Sequence, residues 1–161
     1  MISRAEYHRA APAVLSAMRG LEATIRSGPL ETALLELVRM RVSQVNGCAF
    51  CLDMHGREAR AAGITQQQLD LLTAWREAPC FSARQRAALT WAEALTLIAR
   101  APVDDALYAE AAAQFDAAAL THLSLAIIAI NGWNRLSIAF GTPLPPASAK
   151  HESNESAHAS F

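Results

Sequence analysis

Apolar residues recur at spacings of three and four along almost the whole chain, and no stretch alternates convincingly at period two. A helix turns once every ~3.6 residues, whereas a strand sends successive side chains to opposite faces. The pattern therefore selects helices and leaves nothing from which to build a sheet. Alanine is abundant and β-branched residues are seldom consecutive, which favours helix further. The expected fold class is all-α.

Local signals set the element boundaries. The spacing predicts a helix over about Ala13–Ile25, stopped by Ser27, Gly28 and Pro29. A second runs from about Glu31 to Val45, with Leu34, Leu37, Val38, Val42 and Val45 on its apolar face, and is broken by Asn46 and Gly47. The third starts near Cys48 and ends at Gly63. Thr65 with Gln68, and Ser82 with Gln85, carry the capping-box pattern, opening a short helix and a longer one to about Ile98. Asp104 starts another, and Asp116 caps the last and most apolar helix, which reaches Gly141. Residues 1–143 read as one domain. Residues 144–161 are polar and proline-punctuated, a tail with little to bury.

A chain of 161 residues can bury a sizeable core as a single domain. Its net charge of −1 removes the usual electrostatic argument for nucleic acid or an anionic membrane as partner. No signal peptide is recognisable over residues 1–14. Thr121, His122, Ser124, Asn131 and Asn134 interrupt the uncharged stretch Ala117–Asn134, so no membrane span is expected. The expected setting is cytoplasmic. There, a close cysteine pair is more often catalytic or metal-binding than a structural staple. The three cysteines also leave one odd.

The chemistry centres on the run NGCAFCLDMH. On one helix Cys48, Cys51 and His55 share a stripe. The helix start favours a thiolate at Cys48, and His55, one turn past Cys51, can take or stabilise a proton there. The trio suits a redox dithiol, a zinc site completed by Glu36, or two buried thiols. Three ligands within about two turns of one helix would strain a tetrahedral cage, so no metal is expected. If the second and third helices are antiparallel about Asn46 and Gly47, Glu36 and His55 differ in height by only ~3 Å. Glu36 could then orient His55, or it could simply pair with Arg39. Cys80 has no nearby histidine and reads as an incidental thiol, and His8, His122, His151 and His158 as solvated.

The run ELVRMRVSQVNGCAFCLDMHGREARAAG resembles the core of the alkylhydroperoxidase D-like (AhpD-like) branch of the carboxymuconolactone decarboxylase family. Glu36 is followed after eleven residues by Cys48-x-x-Cys51 and, after three more, by His55. The resemblance extends through WREAPCFSARQRAALTWAEAL and INGWNRLSIAFGTP, from about Ala13 to Pro143. It implies a compact helical fold that assembles into trimers or hexamers, and a dithiol that reduces hydroperoxides; the apolar lining at Phe50 favours organic hydroperoxides, and no cofactor is expected. It also implies re-reduction by an external dithiol such as a lipoyl group. By the same resemblance Cys51 attacks the peroxide, Cys48 resolves the product, and His55 with Glu36 relays the proton. The helix-start argument alone favours Cys48 as attacker; the resemblance and the nearness of His55 favour Cys51. One position departs from the pattern: Phe50 stands where those peroxidases carry a second histidine. That departure leaves a disulfide reductase or a redox-sensing helical oligomer as the alternative.

Overall fold

The computed structural model describes residues 4–145, and helices account for nearly all of the regular structure among them. They are α1 (Tyr7–Ala10), α2 (Pro12–Arg26), α3 (Thr32–Asn46), α4 (Ala49–Ala61) and α5 (Gln66–Leu71). A 3₁₀ turn (Leu72–Ala74) precedes α6 (Ala83–Thr96), α7 (Asp105–Ala112) and α8 (Ala117–Phe140). No strand occurs among the described residues. Most of the expected tail, from 146 onwards, lies outside them.

The starts of the later helices follow from side-chain caps. Thr65 and Ser82 each accept from the backbone N–H three residues on, and Gln68 and Gln85 return the bond, completing both capping boxes. Asp104 and Asp116 cap α7 and α8 in the same way with one carboxylate oxygen.

Helix α3 is the axis of the molecule, packed by α4, α6 and α8. It is buried around much of its circumference, polar residues included: Glu36, Arg39 and Ser43 are inside along with Leu34, Leu35, Leu37, Val38 and Val42. Its faces feed two cores. Leu34, Val38 and Val42 join Ile25, Trp91, Leu123, Ile127 and Ile130 in the larger. Leu37 and Met40 join Leu72, Trp75, Phe81 and Leu89 in the smaller. Fully burying one such side chain stabilises by about 1.5–3 kcal/mol.

Helix α8, of 24 residues, is long and apolar enough by length and composition alone to cross a membrane, with an 18-residue window of mean hydropathy 1.3 despite its scattered polar residues. Those residues lower its mean hydropathy less than its Leu, Ile and Ala residues raise it. Within the fold the apolarity is used by the core, where Leu120, Leu123, Ala126, Ile127 and Ile130 are buried. Ile128, at 59% exposed, and Ile138, at 45%, lie on the outer face. One expectation fails, that His122 is solvated. His122 is only half-buried, and its Nδ1 is closed off from solvent, because the ring packs tightly over Gly28.

Candidate active site

The connection between α3 and α4 consists of Gly47 and Cys48 alone. Gly47 takes the left-handed conformation (φ 70°), which glycine adopts without a Cβ penalty. The N–H of Cys48 then donates to Ser43 O at 3.0 Å, closing the end of α3 in a Schellman-type turn. So sharp a reversal makes α3 and α4 a hairpin and leaves Cys48 as the N-cap of α4. Its sulfur replaces the usual cap oxygen and accepts from the N–H of Cys51 at 3.3 Å. The two cysteines are joined as a disulfide with a Cα–Cα separation of 5.3 Å. That spacing suits a disulfide. Both are buried, and Phe50 between them is half-buried. In the reduced state the unpaired N–H groups and the positive end of α4 favour negative charge on these sulfurs.

His55 follows Cys51 by one turn of α4 and is also buried. Across the hairpin, its Nδ1 lies 2.8 Å from Glu36 Oε2, the pairing that equal distances from the turn imply. Glu58, one turn further along α4, brings a second carboxylate to 3.3 Å from the same nitrogen. With Nδ1 donating to carboxylate, Nε2 of the neutral ring carries the lone pair. Burial alone lowers the imidazole, but the bonds to Glu36 and Glu58 and the Glu36 charge outweigh it and raise His55 above its ordinary value. Burial likewise pushes the Glu36 carboxyl up. The hydrogen bond and charge of His55, with the charge of Arg39, outweigh it and hold Glu36 below its ordinary value.

The alternative partner for Glu36 is present as well. A carboxylate has two oxygens, and Arg39 Nη1 donates to Oε1 at 2.5 Å while His55 holds Oε2. Arg39 continues to Glu22 Oε2 at 2.6 Å, and Trp133 Nε1 donates to the other Glu22 oxygen at 3.1 Å. The chain of contacts thus runs from α8 through α2 and α3 to α4. Glu36, His55 and Glu58 also place possible ligand atoms within 4.8 Å of one another, but neither cysteine joins that group. Arg39 pairs with Glu36 in the same cluster.

Below the cysteine turn, α8 holds α3 through amides. Asn46 donates to Asn134 Oδ1 at 2.8 Å and to Asn131 Oδ1 at 3.0 Å, and Asn134 donates to Ser43 at 3.1 Å. Asn134 is completely buried, so these bonds satisfy groups that would otherwise cost about 1–3 kcal/mol each. Trp133 and Asn134 therefore anchor α8 to α2 and α3.

All four residues expected from the sequence, Cys48, Cys51, His55 and Glu36, are gathered at this hairpin. Glu58 was accessible to sequence reasoning as the i+3 neighbour of His55. Glu22 was not, since nothing local marks a residue 17 positions from Arg39 as its partner. Cys80 remains a free thiol away from the site, partly buried against the smaller core.

The sequence profile of the carboxymuconolactone decarboxylase family matches residues 12–94, which include α2, α3, α4 and most of α6. The chain is also 40% identical to the uncharacterized protein YdfG of Bacillus subtilis, over 88% of this chain and 96% of that one. The chain belongs to the carboxymuconolactone decarboxylase family. Among solved structures in its neighbourhood is a protein of unknown function from Agrobacterium tumefaciens, described as a candidate antioxidant defence protein AhpD. It shares 36% identity and a TM-score of 0.86, over 90% of this chain and 99% of that one. An uncharacterized peroxidase-related protein from Silicibacter is 25% identical with a TM-score of 0.72, over 83% of this chain and 70% of that one. Within the carboxymuconolactone decarboxylase family, the chain falls in the AhpD-like branch.

Proposed function

We propose that this chain is a thiol-dependent hydroperoxide reductase of antioxidant type. One observation carries the reading: a bonded cysteine pair opens α4, and a histidine one turn along it is held by a buried carboxylate. The names of the Agrobacterium and Silicibacter neighbours support the same class.

Starting from the dithiol, Cys51 gives its proton to His55 and its thiolate attacks the terminal peroxide oxygen. The S–O bond forms as the O–O bond breaks, and the alkoxide leaves with the proton held by His55. Cys51 is then a sulfenic acid. Cys48 attacks that sulfur, the S–S bond forms, and hydroxide departs with the Cys48 proton as water. An external dithiol, of lipoyl or similar type, reduces the disulfide by exchange. The chain supplies the groups for the peroxide-reducing half of the cycle, and the external dithiol supplies the electrons for the other half. Phe50 favours a second reading, disulfide reduction, because exchange between thiols needs no further acid beside Cys51. The exposed apolar residues of α8 support assembly into a homo-oligomer, a trimer or hexamer in the resemblance noted above, in the cytoplasm.

The test is steady-state consumption of cumene hydroperoxide with dihydrolipoamide as donor. Sustained turnover that disappears in Cys51→Ser is expected. Cys48→Ser should complete one reaction and leave a sulfenic acid on Cys51 that dimedone traps. Dimedone labelling of Cys48 in Cys51→Ser would reverse the two roles. A single oxidation without turnover would leave a redox sensor as the function.

A further inference from the structure

We infer that Arg39 and Glu22 are positioning residues for the Glu36–His55 pair, an inference that rests on the proton-relay role proposed for His55. Arg39 fixes one oxygen of Glu36 so that the other faces His55, and Glu22 holds Arg39 in that place.

The geometry requires both. Arg39 is a buried cation, with 9% of its side chain exposed, and a buried charge is tolerated only when its donors are matched. Two carboxylates match it: Glu36 at 2.5 Å on the same helix and Glu22 at 2.6 Å from α2. Trp133 orients Glu22 from α8, so three helices determine where the guanidinium lies. The plane of the Glu36 carboxylate is set from the Arg39 side before His55 is considered. The imidazole then meets an oxygen that cannot turn away.

Formal charges give this network a further property. Glu22 and Glu36 contribute two negative charges and Arg39 one positive, so with neutral His55 these groups are net negative, and half-exposed Glu58 adds a further negative charge beside the ring. Protonation of His55 offsets part of that charge. Of Arg39 and His55, the imidazole beside the cysteines is the cation that can lose its proton in the physiological range. The groups facing His55 are Glu58 on α4, Glu36 and Arg39 on α3, with Glu22 of α2 behind them. Glu58 is 39% exposed, so solvent screens it, whereas Arg39 and Glu22 act inside the protein.

Opposite charge changes must therefore move His55 in opposite directions. Arg39→Gln leaves buried Glu36 and half-buried Glu22 without their cation and draws the proton more strongly. Glu22→Gln leaves Glu36 and Arg39 already balanced and draws it less. A merely structural role would loosen the site in both variants without that antisymmetry. The experiment is an imidazole ¹H–¹⁵N NMR titration of His55 in the reduced full-length protein, with hydroperoxide turnover measured on the same samples. The titration midpoint is expected to rise in Arg39→Gln, fall in Glu22→Gln and stay close to wild type in Arg39→Lys, which keeps the charge. Turnover in Arg39→Lys should still fall about tenfold, because one ammonium cannot hold both carboxylates in place. Should Arg39→Gln not fold, the contrast of Glu22→Gln with the charge-conserving Glu22→Asp decides by the same sign. Midpoints that move together, or not at all, in folded variants overturn the inference while leaving the peroxidase reading intact. Opposite shifts in a protein without turnover sink the peroxidase reading alone.

Discussion

Helix α3 presents two glutamate-centred ion clusters, and they differ in one partner. At Glu93, received from α6, all the bonds come from fixed donors. Arg41 Nε, on α3, lies at 2.7 Å, Trp75 Nε1 at 2.8 Å and Arg76 Nη2 at 2.6 Å. At Glu36 one oxygen goes to a fixed donor, Arg39, and the other to His55. An arginine does not lose its proton in the physiological range; a histidine does. The Glu93 cluster is therefore a clasp between α3, α6 and the turn after α5, satisfied in one protonation state. The Glu36 cluster has two states available, and the second is reached at a nitrogen within one turn of the disulfide. The number of ion pairs teaches little about function here. Whether a partner can change its charge decides.

The strongest way to break this contrast is to neutralise each glutamate in turn. Glu36→Gln is expected to lower hydroperoxide turnover by about 10²-fold, the usual worth of an aligned general acid–base group. Glu93→Gln should leave turnover unchanged and instead lower stability by about 1–3 kcal/mol, since buried Trp75 and half-buried Arg41 lose their charged acceptor. Turnover and urea unfolding measured on both variants check this, and equal rates in the two would erase the distinction between clasp and relay.

A double substitution sharpens it. His55→Ala with Glu36→Gln should slow turnover by less than the product of the single effects, because both act through one base. Full multiplicativity would mean that Glu36 reaches the chemistry by another route.

The two clusters should also differ in how stability depends on pH. Glu36 and Glu93 are both held below the ordinary carboxylate value. Each therefore stabilises the fold above that value, and the contribution is lost as pH falls through the depressed native one. His55 is raised above 6.5. Its contribution is complete below that pH and is lost as pH rises through the elevated native value. Acid sensitivity belongs to both clusters, and alkaline sensitivity to the Glu36 cluster alone. Melting temperatures of wild type and His55→Gln across the neutral-to-alkaline range should converge as pH rises. Parallel curves would show that His55 carries no charge worth stabilising.

The smallest effect is expected at Phe50. Phe50→His would place a second proton donor beside Cys51, and turnover should rise by less than tenfold, since an engineered group rarely attains full alignment. Stability should fall by about 1 kcal/mol because Phe50 is only half-buried. An unchanged or lower rate in a folded variant favours disulfide reduction over peroxide removal.

Local chemistry accounts for what could be read from the sequence. The caps at Thr65, Ser82, Asp104 and Asp116 each act within one turn, so their residue types sufficed. The Glu36–His55 contact is long-range by number but short-range by topology, because Gly47 and Cys48 leave the hairpin no freedom of register. Helix ends were less legible: α4 stops at Ala61 and α6 at Thr96, each two residues short of expectation. Four-residue α1 and the turn Leu72–Ala74 are too brief to show a period. Glu22 was beyond reach because its partners depend on how α2 lies along α8. Arg39 and His55 were weighed as rivals for Glu36, and the two oxygens of one carboxylate serve both.

The cysteines are only three positions apart, and this spacing has a consequence for working life. A crosslink lowers the entropy of the unfolded chain in proportion to the logarithm of the loop it closes. For so small a loop the chain-entropy estimate is about 2 kcal/mol, against nearly 5 for one of about a hundred residues. In the proposed cycle each turnover would make and break a bond on which the fold depends little. Such a hairpin would change oxidation state while the helices that hold His55 and Glu36 keep their places.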